Sequence, residues 1–144
     1  MFSKACEYGI KASIFIAEQS LKGNKVGQVA IAKAINSPEA FTAKTLQILT
    51  RHNIISSERG PNGGFFFNDT QLKNTLLSNI VGLIDGTSIY EGCGLGLENC
   101  SEEAPCPVHH QFKEIRDGLR NMLETTLIAD LALGLQSGLS FLKR

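Results

Sequence analysis

The sequence has no uncharged apolar stretch that approaches the roughly 18 residues a membrane-spanning helix needs. Charged residues also interrupt the N-terminal segment before it reaches the length of a signal-peptide core, at Lys4, Glu7, Lys11 and Glu18. We therefore expect a cytoplasmic protein, in a reducing compartment where clustered cysteines serve as ligands or redox sensors more often than as disulfides. With 144 residues, 42% of them hydrophobic, the chain suits one compact protomer.

The residue patterns that carry catalysis are also missing. The sequence has no paired carboxylates suited to a cleft, no pairing of a nucleophile with a base, and no glycine-rich phosphate loop. We therefore expect a binding protein and not an enzyme.

The net charge is zero, but the two halves of the chain differ in sign. Residues 1–68 contain eight basic and four acidic residues, a net charge of +4, whereas residues 69–144 contain six basic and ten acidic residues, a net charge of −4. This division is typical of a nucleic-acid-binding region joined to a region with another role.

Three helices are predicted in the basic half. Apolar residues at three- and four-residue spacing predict helices over residues 3–20 and 27–35. A third helix is expected to start with Ser37 as N-cap and Pro38 at the first helical position, and to run to about His52. Its inward face is expected to contain Phe41, Thr42, Thr45, Leu46 and Leu49. Its outward face is expected to contain Ala43, Lys44, Gln47, Thr50 and Arg51.

A β-hairpin is predicted directly after the third helix. Two apolar runs, Ile54-Ile55 and Phe65–Phe67, flank a segment whose glycine, proline and asparagine residues favour a tight turn. Three helices and a hairpin predict a mainly α protein with a winged helix-turn-helix. In that fold the third helix can enter the DNA major groove, while the hairpin, or wing, reaches the backbone or the minor groove.

Three of the four cysteines and a histidine lie in one short segment, at Cys93, Cys100, Cys106 and His109. Thiolates crowded in this way bind soft metals or iron–sulfur clusters. Structural zinc and a metal-free thiol switch are the alternatives. The remaining cysteine, Cys6, lies on the apolar side of the first helix and is expected in the core.

Helices are predicted on both sides of this segment. A fourth helix, ending at Gly86, is marked by Leu76, Leu77, Ile80, Val81 and Ile84. A helix over residues 107–124 carries an apolar stripe of Val108, Phe112, Ile115, Leu119 and Met122. A last helix is expected at Leu127–Leu135. Because the stripe needs cover, we expect a second copy of the same helix to pack on it. Residues 1–68 would thus form the DNA-binding region, and residues 69–144 the cysteine loop and dimerisation helices.

The turn Ser57–Phe65 (SERGPNGGF), the helix start Asn36–Glu39 (NSPE) and the cysteine loop together resemble the Rrf2 family of winged-helix transcriptional regulators, of the IscR, NsrR and RirA type. The resemblance extends from Tyr8 to Leu127. It implies a homodimer joined by a long C-terminal helix, an iron–sulfur cluster at the three cysteines, and a pseudo-palindromic double-stranded DNA operator. The implied function is a repressor that senses iron–sulfur status, oxidants or nitric oxide. A small iron–sulfur electron carrier is disfavoured, because a carrier has no use for the wing.

Contacts to DNA are expected from the third helix and the wing. The expected contact residues are Ser37, Pro38, Thr42, Ala43, Lys44, Gln47, Arg59, Gly60, Pro61, Asn62, Gly63 and Gly64. Arg59 suits a narrow, electronegative minor groove. The third helix departs from the family pattern at Thr42, Ala43 and Thr45, so the operator sequence does not follow from the resemblance.

The fourth ligand has two candidates. His109 follows Cys106 by three residues, and family members with that spacing hold a two-iron, two-sulfur cluster, which is favoured over a four-iron, four-sulfur cluster. Glu7 matches the place where some relatives supply a carboxylate from the other subunit. His110 is expected to be a solvated neighbour.

Overall fold

The computed structural model describes residues 1–143 of the 144-residue chain. The helices are α1 (Lys4–Leu21), α2 (Gln28–Ile35), α3 (Glu39–Arg51), α4 (Asp69–Asn74), α5 (Leu77–Ile84), α6 (His109–Thr125) and α7 (Ile128–Gln136). The strands β1 (Ser56–Glu58) and β2 (Gly64–Phe66) form one antiparallel sheet, and a 3₁₀ turn covers Ser88–Tyr90. The predicted fold class is therefore confirmed. Within residues 1–143 no helix is long and apolar enough to cross a membrane.

The central helix of the fold is α1. Ser3 caps its start, where the Ser3 Oγ accepts a hydrogen bond from the Cys6 backbone N–H at 3.1 Å. The helix packs against α2, α3, α5 and α7, so residues from both halves of the chain share one core. The fully buried aliphatic side chains include Ile16, Ile31, Ile35, Leu46, Leu49, Ile80, Leu123 and Ile128. Truncating one of them to alanine is expected to cost about 2–5 kcal/mol of stability.

The turn between α2 and α3 sets the position of the third helix. Asn36 ends α2 in the left-handed conformation (φ 52°), and the Ser37 N–H donates to the Ala32 carbonyl at 2.9 Å. Because the Ser37 N–H closes the end of α2, Ser37 belongs to the turn. The N-cap of α3 is Pro38, one residue later than predicted.

The predicted inward face of α3 is correct at Thr42, Thr45, Leu46 and Leu49, which are all buried. It is wrong at Phe41, whose side chain is 50% exposed. The four buried positions already complete a helical stripe, and Phe41 lies at its edge. There its ring centroid lies 6.1 Å from that of Tyr8 in α1.

The wing is attached to the helices through its backbone. Its strands pair in the register Ser56↔Phe66, Ser57↔Phe65 and Glu58↔Gly64. The second strand also bridges to the α1–α2 loop: the Val26 N–H donates to the Phe65 carbonyl at 3.0 Å, and the Phe65 N–H donates to the Val26 carbonyl at 2.8 Å. Lys25 forms an ion pair with Glu58 beside this bridge.

Two helices, not one, lie between the wing and the cysteines. The sequence interpretation missed α4, although Asn68 and Gln71 form a capping box in which each backbone N–H donates to the other side chain, at 2.9 and 2.8 Å. The predicted fourth helix corresponds to α5, which ends before Gly86 (φ 73°).

The last two helices begin and end within two residues of the predicted bounds. Between them, Thr126 is extended and Leu127 forms an antiparallel bridge with Leu76. The α6–α7 junction is thereby tied to the start of α5. The division of the chain at residue 68 stays a prediction. In the structure, α1 packs on helices from both sides of that boundary.

Candidate nucleic-acid interface and metal centre

The outer face of α3 is accessible. Lys44, Gln47 and Arg51 are exposed, and Ala43 and Thr50 are half-buried. Within residues 1–143, Lys44 and Arg51 form no ion pair. Two cations on one side of a helix with no acidic partner in the protomer are available for phosphate groups.

Thr42 is the exception among the expected contacts. Its side chain is 1% exposed, and its hydroxyl donates to the Pro38 carbonyl at 3.1 Å and contacts the Ser37 Oγ at 2.9 Å. We therefore correct the expectation for Thr42, which fixes the start of α3 and cannot present its side chain to DNA.

A groove of about 460 Å³ lies between α3 and the wing. Its lining residues are Gln28, Ala43, Gln47, Thr50, Arg51, Ser57 and Phe65. The groove thus joins α2, the outer face of α3 and both strands of the wing in one continuous surface.

The tip of the wing is a tight turn over residues 60–63. The Gly63 N–H donates to the Gly60 carbonyl at 3.0 Å, and Pro61 occupies the second turn position, where its fixed φ is suitable. At Gly60 (φ 98°), a Cβ would find no heavy atom within 4 Å, so the backbone is bare there. Arg59 is exposed beside this turn and forms no ion pair within residues 1–143.

The other two wing glycines are required by packing. A Cβ at Gly63 would lie 2.8 Å from the backbone of Arg59. A Cβ at Gly64, which has φ 138°, would lie 2.8 Å from the backbone of Val26. Packing alone therefore explains why positions 63 and 64 are glycines.

The candidate metal ligands lie in and beside residues 91–108, here called the thiol loop. Cys93 and Cys106 are half-buried, Cys100 is exposed, and all three are free. The Cys100 Sγ lies 3.4 Å from the His109 Nδ1. Within residues 1–143 no three Cys, His, Asp or Glu side chains are close enough together to hold one metal ion. The structure thus brings Cys100 and His109 into contact but does not bring the four expected ligands together as one set.

Cys93 lies where the backbone favours its thiolate. The backbone N–H of Leu95 lies 3.4 Å from the Cys93 Sγ. Hydrogen bonds from the Leu95 and Leu97 N–H groups, and then from the Cys106 side chain, hold the pKa of Cys93 below its usual value. The thiolate is the form that binds metals.

His109 is 4% exposed, and its Nε2 has no hydrogen-bond partner among the described residues. A buried nitrogen without a partner is costly, and a neutral imidazole nitrogen of this kind suits a metal. Three thiols and an imidazole are donor types that iron–sulfur clusters and zinc accept. The residues fit such a group in kind. His110 is exposed, as expected.

The sequence interpretation missed Arg116. Its Nη2 donates to the Cys100 Sγ at 3.2 Å, and its Nη1 donates to the Gly92 carbonyl. The hydrogen bond to Cys100 raises the pKa of Arg116, with smaller contributions from Asp117 and Cys93. The only sequence signal was a basic residue on the helix that follows the cysteines.

The alternative ligand Glu7 lies in the first turn of α1. It accepts a hydrogen bond from Lys4 Nζ at 2.8 Å, and this bond lowers the pKa of Glu7. Cys6 is fully buried, and its burial, with help from Asp85, raises its pKa to about 12. The expectation that Cys6 belongs to the core is confirmed.

The apolar stripe of α6 is open in the protomer. Ile115 is 62% exposed and Met122 is 43% exposed, while Phe112 and Leu119 are half-buried. Ile115 and Leu119 line a cavity of about 410 Å³ that Cys93 also lines. The open apolar surface is therefore continuous with the thiol loop.

Known proteins are similar to this chain in sequence and in fold. An HTH-type transcriptional regulator of Aquifex aeolicus is 32% identical over 133 residues, which cover 91% of this chain and 90% of that protein. The structure of CymR, the global cysteine regulator of B. subtilis, has a TM-score of 0.74 at 21% identity and covers 92% of this chain and 95% of its own. The structure of IscR from T. potens has a TM-score of 0.71 at 16% identity and covers 97% of this chain and 91% of its own.

Residues 2–133 match the Rrf2 family, whose description is "iron-dependent transcriptional regulator". The match includes the helix-turn-helix, the wing, the thiol loop and α6. Because it covers nearly the whole chain and agrees with the Aquifex relative, the protein belongs to the Rrf2 family of DNA-binding transcriptional regulators and is not an enzyme.

Proposed function

We propose that the protein is a homodimeric repressor whose affinity for its operator depends on an iron–sulfur cluster held by Cys93, Cys100 and Cys106. The observation that carries this proposal is the thiol loop itself. It contains three free thiols, one of which, Cys100, lies 3.4 Å from a buried imidazole whose Nε2 has no partner among the described residues. A purely structural histidine at 4% exposure would be expected to have both ring nitrogens paired.

His109 is the proposed fourth ligand. It already contacts the Cys100 Sγ through Nδ1, and its place at the start of α6 fixes its backbone. Glu7 remains the alternative, supplied by the second subunit. A two-iron, two-sulfur cluster suits three thiolates and one histidine better than a four-iron, four-sulfur cluster does. When bound, such a group would make the protein responsive to iron supply, oxidants or nitric oxide.

The residues of this chain connect the loop to the DNA-binding surface. The loop follows the end of α5, where the Asp85 carboxylate accepts hydrogen bonds from the Ser3 N–H, at 2.8 Å, and from the Ser3 hydroxyl. Ser3 caps α1, and α1 packs directly on α3. We infer that closure of the thiol loop shifts α1 and with it the recognition helix, so that loop state and operator affinity are linked.

The proposed DNA-contacting surface consists of the exposed side of α3 and the tip of the wing. On α3 it contains Ala43, Lys44 and Gln47, with Ser37 and Pro38 at the preceding turn. On the wing it contains Arg59 and the backbone of residues 60–64. In a two-fold dimer the two copies of α3 would meet half-sites about one DNA turn apart, which predicts a pseudo-palindromic operator.

The experiment that tests the cluster is anaerobic purification followed by a visible absorption spectrum and an iron and sulfide assay. We expect a coloured protein whose spectrum changes in His109→Ala and does not change in His110→Ala, because only His109 is buried beside the thiols. If His109→Ala leaves the spectrum unchanged while Glu7→Ala abolishes it, the carboxylate is the fourth ligand. A colourless protein that binds one zinc ion, or none, when produced with ample iron would contradict cluster sensing. It would favour structural zinc or a thiol switch.

The dimer is tested at Ile115. Ile115 is exposed in the protomer and contributes little to its core. Ile115→Glu should therefore leave the fold intact and place an unpaired charge in the proposed interface. Sedimentation should show a dimer for the wild type and a monomer for this variant. Asn121→Glu, an equal charge change on the polar side of α6, should remain a dimer. A wild type that is monomeric at micromolar concentration would contradict the proposal.

A further inference from the structure

One side of α6 carries a row of basic residues that face the thiol loop. Lys113 forms an ion pair with Glu102 of the loop at 3.4 Å. Arg116 bonds to the loop at two points. Lys113 and Arg116 are three residues apart and therefore lie on the same side of α6, beside the apolar stripe.

Arg116 bonds to the backbone and to a sulfur of the loop, whereas Lys113 pairs with a loop carboxylate. Its guanidinium reaches the Gly92 carbonyl, next to Cys93, with one nitrogen and the Cys100 Sγ with the other. The two contacts therefore tie both ends of the segment 92–100 to one rigid helix. A guanidinium can do this because its donors form a fixed planar fork, whereas a lysine ammonium is a single point charge.

We propose that Arg116 is the positioning residue of the thiol loop: it holds Cys93 and Cys100 against α6 so that both thiols are in place when a metal binds. The proposal rests on the proposed metal-binding function and names the residue that prepares the loop for it. Without this tether, the contact with His109 would be the one side-chain hydrogen bond left to the exposed Cys100 within residues 1–143.

The charge of the loop supports this role. The loop contains acidic residues at Glu91, Glu98, Glu102 and Glu103 besides its three thiols. Negative groups brought together repel one another, and a cation bonded to one of the sulfurs offsets that repulsion. Because a sulfur that binds a metal can still accept an N–H hydrogen bond, the contact with Cys100 persists in the loaded protein. In metal sites, partners of this kind orient the ligands and strengthen binding.

The first test titrates the metal-free, reduced full-length protein with Co²⁺ and follows the sulfur-to-cobalt charge-transfer absorption. We expect Arg116→Met to weaken Co²⁺ binding by about tenfold or more. Lys113→Met makes the same charge change on the same helix but removes contacts to two carboxylates, Glu102 and Asp117, and none to a sulfur, so its affinity should stay near that of the wild type. Arg116→Lys should recover part of the affinity, because it restores the charge but not the fork.

The second test needs no metal. In the metal-free protein, amide hydrogen exchange over residues 92–100 should become about tenfold faster in Arg116→Met, and stay unchanged in Lys113→Met. Equal exchange and equal Co²⁺ affinity in Arg116→Met and wild type would overturn the proposal, as would tighter Co²⁺ binding in Arg116→Met. A wild type without the cobalt band would count against the metal centre, while the exchange result would still decide the role of Arg116.

Discussion

The wing and the thiol loop are both glycine-containing segments that carry proposed functional residues, but they are held in different ways. The wing is held by its backbone, since Val26 and Phe65 exchange both of their N–H···O=C bonds. The thiol loop is held by side chains of α6. Arg116 bonds to it at two points, and the Arg120 guanidinium lies 4.8 Å from the ring centroid of Tyr90, just before the loop.

This difference suits the two roles. Backbone bonds do not depend on the ionisation or ligation of a side chain, so the Val26–Phe65 bridge holds the wing independently of a bound metal. The side-chain contacts that hold the thiol loop include one to a sulfur that can also bind a metal, so this segment can respond to ligation. A wing held by its backbone, joined to a loop that can respond to a metal, would suit a DNA-binding protein whose affinity is regulated.

The largest expected effect is the loss of the metal centre in Cys106→Ser. A serine oxygen cannot replace a thiolate, so the visible absorption of the anaerobically purified protein should disappear. Because Cys106 lies outside the buried core, the metal-free variant should unfold within a few degrees of the metal-free wild type.

Cys6→Ala is the matched control for this comparison. Cys6 is fully buried and separate from the loop, so this variant should keep the absorption and lose about 1 kcal/mol of stability. If Cys106→Ser retains its colour, or Cys6→Ala loses it, the assignment of the thiols is wrong.

The wing could be predicted from sequence because its signals are local. The residues Gly60, Pro61, Asn62 and Gly63 specify a tight turn through their own φ preferences, whatever the rest of the chain does. What local signals could not predict is the bridge between Val26 and Phe65. It joins residues far apart in the chain and places the backbone of Val26 against Gly64.

The thiol loop was predictable in its residue types but not in its geometry. Four donor residues in one segment indicate a soft-metal site, but nothing in their spacing shows that Cys100 contacts His109. Nor does the spacing reveal the contact between Cys100 and Arg116, which lies on α6 outside the motif. Thr42 was predicted both on the inward face of α3 and among the DNA contacts, and only the first of these predictions is correct. The hydroxyl of Thr42 donates to the Pro38 carbonyl, a partner that the residue pattern alone does not reveal.

A smaller effect is expected when the wing is detached from the helices. In Gly64→Ala the new Cβ would lie 2.8 Å from the backbone of Val26, at φ 138°, where an L-residue is strained. We expect a loss of about 2–4 kcal/mol in the free energy of unfolding, measured by urea denaturation. Gly82→Ala is the matched control: Gly82 is exposed in α5 with open space for a Cβ, so this variant should gain up to about 1 kcal/mol. Equal stability for the two variants would mean that the Val26 bridge does not hold the wing.

The smallest effect is expected at the tip of the wing, where Arg59→Ala changes a contact but not the fold. Arg59 is exposed and has no acidic partner within residues 1–143, so its loss should leave the thermal unfolding temperature unchanged. Operator binding should weaken by about 1–3 kcal/mol if Arg59 enters a groove, and the preference for operator over random DNA should fall. Lys44→Ala, on the exposed face of α3, should weaken binding to both DNAs alike and reduce the salt dependence by about one counterion, as expected for a phosphate contact. Fluorescence anisotropy titrations over a range of salt concentrations distinguish the two patterns. An Arg59→Ala variant that binds its operator as tightly as wild type would show that the wing, however rigidly it is held, does not read DNA through this side chain.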